Sequence, residues 1–195
     1  MNKLILAALL FAPSLSLAQS TTYFMGTDSA KSATSASKNR ESIIASIVTS
    51  ANNDNIRIYI IGPDPKNPKK LYYFLTTHQM RPDGTWVFVN PAASSYPEKV
   101  KFLNGALTSI DCVVKQKSGT KYMGALEIAS GTLKIETSTT DARIKALDTY
   151  SFNGKQITPA QYTEATKSRA LLPLVNTKSG EPILDAGKTS PAAKK

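Results

Sequence analysis

Apolar and polar residues alternate over much of this chain, most densely between Ile56 and Asn90. Ile56, Ile58 and Ile60 fall on one face of an extended segment, and Arg57, Tyr59 and Ile61 on the other. Leu71, Tyr73 and Leu75 oppose Tyr72, Phe74 and Thr76 in the next run, and Trp86–Val89 returns as a third. Both faces of the first two runs carry apolar or aromatic groups, which predicts strands covered on both sides. The prolines from Pro63 to Pro68 break the first pair. Arg81-Pro82-Asp83-Gly84 is a turn signal, with proline second and glycine closing it. These short connections leave room for antiparallel hairpins and none for helical crossovers.

Outside this stretch the pattern is mixed. Ile43, Ile44, Ile47, Val48 and Ala51 have the spacing of an apolar helical stripe, predicting a helix over Asn39–Ala51 with Glu41 in its first turn. Its β-branched content leaves a strand as the alternative. Gln19–Met25 reads as a short strand, Asp28–Lys38 as a loop or helix approach, and Glu98–Leu103 as a short helix or irregular strand. Further strands are predicted over Leu107–Lys115, Lys121–Ala129, Leu133–Thr137 and Ile144–Phe152. Asn153-Gly154 has the chemistry of a two-residue hairpin turn, since both residues accept positive φ. Thr158 and Gln161 have capping-box spacing with Pro159 at the first helical position, predicting a helix that runs to about Arg169. Leu171–Val175 reads as a last strand or packed tail. Together these elements predict an α+β fold: a mostly antiparallel sheet of about seven to nine strands with one or two peripheral helices.

The ends of the chain alter the reading of its address. Lys3, the apolar run Leu4–Ala12 and the small residues at Ser16 and Ala18 have the form of a secretory leader, with cleavage expected after Ala18. The run is too short to span a bilayer, which takes about 20 residues. Export to the periplasm or beyond is therefore expected, with one β-rich domain over residues 19–175 and a disordered Lys-rich tail over 176–195. Loss of Lys3 takes the formal charge from +10 to +9, a balance that favours acidic partners. The lysines are scattered and arginines few, so a nucleic-acid module is not indicated. Cys112 is the only cysteine, which excludes an intramolecular disulfide. It shares a strand face with Ile110 and Val114, so it reads as a buried thiol.

Candidate chemistry is sparse. His78 is the only imidazole; as a base it would need Asp83 or Asp64 to orient it, or Cys112 as a thiol partner. Asp111, Glu127 and Glu136 lie on neighbouring predicted strands and could pair as carboxylates. No metal-ligand spacing, phosphate loop, dinucleotide fingerprint or nucleophile elbow occurs, so neither a cofactor nor a metal is expected. Two basic tips stand out: Lys66, Lys69 and Lys70 beside Tyr72, and Lys115, Lys117 and Lys121 beside Tyr122. If the fold brings them to one end, they form a site for an anionic surface; separately, they only solubilise.

Tyr23–Ser29 and Ile110-Asp111-Cys112 are loosely similar to small surface-adhesin-type domains of Gram-negative envelopes, over a few residues and without a second cysteine. The secretory address, the β-rich core and the lack of a recognisable catalytic set predict a non-enzymatic exported bacterial binding or accessory protein, such as an adhesion, envelope-assembly or inhibitor module. It would act through its sheet surface and basic loops, with His78 among the contact residues, on an envelope protein or anionic surface polymer. The alternative is a small hydrolase of envelope polymer using the carboxylates or His78.

Overall fold

A computed structural model describes residues 19–64, 67–90 and 94–173. The expected leader, Lys66 and the expected Lys-rich tail lie outside the described residues. Ten strands follow one another: β1 (Ser20–Lys31), β2 (Lys38–Thr49), β3 (Asn55–Asp64), β4 (Asn67–Met80), β5 (Trp86–Asn90), β6 (Ser94–Leu103), β7 (Ala106–Lys115), β8 (Lys121–Ala129), β9 (Thr132–Asp141) and β10 (Ala146–Ile157). A helix, α1 (Pro159–Thr166), and a short strand, β11 (Ala170–Pro173), complete the described chain.

Each of the ten strands pairs antiparallel with the next, and β10 returns to β1, with Tyr23 opposite Ile157 and Lys31 opposite Thr149. The sheet is thus a closed ten-stranded barrel, 71% strand and 6% helix, which corrects the expected α+β class and its open sheet of seven to nine strands. Closure joins segments far apart in sequence, and no local pattern encodes such a pairing.

Inside the barrel, Phe24, Ile43, Ala45, Ile47, Ile56, Ile58 and Ile60 meet Leu107, Ile110, Leu126, Leu133, Ile135 and Phe152 in one core. A second cluster, Ile44, Tyr59, Ile61, Leu71 and Tyr73, lies on the outer face of β2–β4. Tyr162 and Ala165 of α1 pack against it, and Tyr162 stacks on Tyr23 at 4.1 Å. The two apolar faces read from β3 and β4 therefore have different covers, the barrel core within and α1 outside.

The same double cover explains the segment expected to be helical. Residues 43–47 of β2 are all buried, because alternate ones face the core and the helix. An apolar stripe at helical spacing is here two strand faces read together. Glu98–Leu103 belongs to β6, and the approach expected over Asp28–Lys38 is partly the end of β1. The capping box is present: Gln161 N donates to Thr158 Oγ1 at 3.2 Å and Thr158 N to Gln161 Oε1 at 2.8 Å. The helix ends at Thr166, short of Arg169.

Asn153-Gly154 is not a turn; both residues lie inside β10. Gly154 faces Gly26 across the closing seam, and a Cβ on Gly26 would lie 1.9 Å from the Asn153 carbonyl oxygen. Glycine serves close backbone approach here.

The strand order places the β1–β2, β3–β4, β5–β6, β7–β8 and β9–β10 connections at one end, and the others at the opposite end. The wall is uneven. β5 pairs with only Thr77–Met80 of β4, and β11 runs parallel to Lys70–Tyr73 of the same strand.

Candidate binding cavity

Bulky side chains such as Phe24, Ile56, Leu133 and Phe152 fill part of the interior. Beyond them lies a cavity of about 840 Å³ that reaches the end bearing the β3–β4 and β7–β8 turns. Its walls are Ile58, Ile60, Phe74, Phe88 and Leu126, together with Tyr72, Tyr96 and Tyr122. Two features of the chain account for the space. A ten-stranded ring is wider than the eight-stranded barrel that side chains just fill. Around its girth, Cys112, Gly124 and Thr137 sit side by side as strand partners, so three adjacent inward positions carry small groups. A Cβ on Gly124 would meet nothing nearer than the Thr137 methyl at 3.9 Å.

His78 lies on the inner face of β4, buried, with its ring 5.4 Å from that of Phe88. Its Nδ1 is 2.9 Å from both carboxylate oxygens of Glu98, and its Nε2 is 3.2 Å from Thr76 Oγ1. The Glu98 side chain is 2% exposed. Nδ1 donates to the carboxylate, which fixes the ring and commits both nitrogens. The carboxylate that orients it is Glu98, where the sequence had offered Asp83 or Asp64. Asp83 instead accepts from Thr85 N and Oγ1 within its own turn. Glu98 was missed from the sequence, although a signal existed. Tyr96, Glu98, Val100 and Phe102 alternate with Lys99 and Lys101, so one carboxylate stood on an otherwise apolar face.

Cys112 is buried and lines the same cavity. Burial, and then the charge of Glu98, push its thiol up to about 11. The thiolate that nucleophilic chemistry needs is therefore scarce near neutrality. With His78 turned to Glu98 and Thr76, no free imidazole nitrogen is presented to it.

Nearer the rim, Arg40 Nε donates to Asp28 Oδ1 at 2.9 Å and Nη2 to Oδ2. That hydrogen bonding holds the guanidinium above its usual range. Burial raises the Tyr150 hydroxyl, assisted by the neighbouring Asp28 carboxylate. Tyr96 and Tyr122 lie with ring centroids 4.9 Å apart, and Gln116 Nε2 donates to the Tyr96 hydroxyl at 3.2 Å. Burial is also the main cause that raises Tyr122.

No known protein family matches this chain, and no curated protein does.

The strand order places the two described basic tips at the same end of the barrel. Lys69 and Lys70 open β4, and Lys115, Lys117 and Lys121 flank the β7–β8 turn at the same end of the barrel. All five are exposed, while Tyr72 and Tyr122 turn inward to the cavity. Asp111, Glu127 and Glu136 are exposed on strand faces directed away from it. Their chemistry is separate from the interior. Among the described residues, no three His, Cys, Asp or Glu side chains gather as metal ligands.

Proposed function

We propose that this chain is an exported, non-enzymatic binding protein that holds one small, largely apolar molecule inside its barrel. The observation that carries this reading is the cavity of about 840 Å³, walled by aromatic and aliphatic side chains. Ligand sites commonly span about 300–1,000 Å³ and combine apolar walls with a few placed polar groups. Here Thr76, the His78–Glu98 pair and the tyrosine hydroxyls supply those groups. Export rests on the leader-like sequence at the start of the chain. The sequence suggested recognition through the sheet surface and basic loops; the cavity moves the main contact indoors and leaves the loops as its rim.

The hydrolase alternative has weaker support. Its carboxylates lie on the outer wall, and the imidazole is engaged at both nitrogens.

The decisive measurement is titration of the purified protein with a neutral apolar fluorophore such as N-phenylnaphthylamine. Saturable one-to-one binding is expected. Gly124→Leu, which projects a side chain into open cavity, should weaken it by about tenfold or more at unchanged thermal stability, and Gly124→Ala should weaken it less. Binding that ignores both substitutions, or no saturable binding, would reject the interior site.

A further inference from the structure

The interior and the rim of the barrel have opposite characters, and together they constrain what enters. The charged groups along the cavity are already engaged: Arg40 with Asp28, and Glu98 with His78. Asp64, which is buried, also has its own interaction. A bound ion buried in this space would find no free countercharge among the described residues, and burying an unpaired charge is strongly unfavourable. Any formal charge on the ligand must therefore stay at the mouth.

The end of the barrel that the cavity opens to is basic, although no lysine lines the cavity itself. Lys38, Lys69, Lys70, Lys115, Lys117 and Lys121 belong to strand ends or turns at the end the cavity reaches, and all are exposed. Lys31 and Lys145 stand at the same end. Of the acidic groups there, Asp28 is bound to Arg40 and Asp141 to Arg143, Asp64 is buried with an interaction of its own, and Glu41 and Asp148 are exposed as opposing charges. The turns of the opposite end carry Arg81 against Asp54 and Asp83, and Arg57, Lys101 and Lys155 lie on the strand ends beside them, so the lysine cluster is denser at the end the cavity reaches.

Building on the cavity reading above, we propose that the ligand is a single-chain anionic amphipath. Its apolar chain fills the barrel, and its acid group, a carboxylate or phosphate monoester, rests among the rim lysines. The lysines contribute as a shared field rather than as one bidentate clamp, which makes the preference sensitive to salt. Such a field also draws the acid group to the open end first, so the chain enters tail-inward with its head left in water.

Competition against bound N-phenylnaphthylamine tests this on the full exported protein, with one chain length and three head groups: dodecanoate, dodecanol and dodecyltrimethylammonium, each below its micellar concentration. Dodecanoate should displace the probe at about tenfold lower concentration than the cation, with the alcohol between them. High salt should erase that order, and the combined substitution Lys69→Glu, Lys70→Glu, Lys117→Glu and Lys121→Glu should erase or reverse it. Equal displacement by all three, or preference for the cation, would overturn the head-group assignment and leave the cavity reading standing. Failure of the probe itself, or its indifference to Gly124→Leu, would instead reject the cavity reading.

A second arm separates a soluble amphipath from a lipid surface, using vesicles of phosphatidylglycerol. Retention on them that Gly124→Leu does not change, with no displacement of the probe by dodecanoate, would show that the lysines serve surface adhesion alone, and would overturn the proposal.

Discussion

With His78 replaced by alanine, the Glu98 carboxyl, 2% exposed in the native barrel, would lose the one nitrogen donor it has among the described residues. Removing one partner of a buried pair costs much more than replacing both with apolar groups, because the survivor loses water without gaining a partner. His78→Ala is therefore expected to lower unfolding free energy by about 3 kcal/mol, measured by urea denaturation. The double substitution His78→Leu with Glu98→Leu should recover most of that loss. A single substitution costing under about 1 kcal/mol would mean that Glu98 reaches water or another donor. The pair spans β4 and β6 across the short β5, so it also links strands that the intervening hairpin holds apart. Its aromatic neighbour Phe88 completes the layer, stacking towards Tyr96 at 6.1 Å. Residue identity was legible for His78, yet its partner was not, since the pairing depends on two hairpins folding side by side.

Among the elements, β1 and β10 carry the closing seam, and its tightest point is Gly26 opposite Gly154. A methyl group on Gly26 meets backbone that cannot move without parting the strands, whereas one on Gly154 meets the tip of the Phe152 ring at 2.5 Å. Gly26→Ala should therefore destabilise by about 3 kcal/mol and Gly154→Ala by less, as read from denaturation midpoints. The reverse order would place the strain at the ring. This seam also shows where local reading fails. Asn153-Gly154 has strong turn chemistry, but it belongs to β10 because β1 needs a partner that lacks side-chain bulk. The β2 segment fails differently: five consecutive buried residues carry no alternation, so periodicity cannot separate a doubly covered strand from a helix. By contrast, the β3–β4–β5 meander and the α1 N-terminus were legible, except that Pro63 and Pro68, expected to break the sheet, lie within β3 and β4. Their signals, alternating faces, a proline-glycine turn and reciprocal capping, are all satisfied within a few residues.

At the scale of the whole molecule, ring closure creates the cavity, because an open sheet of the same strands would have no enclosed interior. Little of the candidate site was visible beforehand for that reason. Tyr72, Tyr122 and the lysines could be named, but their shared end and the space between them depend on ten strands meeting in order. The outer wall, with Lys99, Lys101, Asp111, Glu127, Lys134 and Glu136 exposed or half-exposed, carries charges where a lipid-facing barrel would need a continuous apolar band. One part of this wall has a cost in assembly. Where β5 stops short, Lys70–Tyr73 of β4 would present bare N–H and C=O groups, a template on which a second molecule can add a strand. β11 occupies that edge, but it is made long after β4, so a nascent or partly folded chain passes through a stage that is open to self-association. Truncation after Arg169 should hold the protein in that vulnerable condition, giving more concentration-dependent association by light scattering than the full chain shows. A truncated chain that associates no more than the full one would show that the edge is guarded by something other than β11.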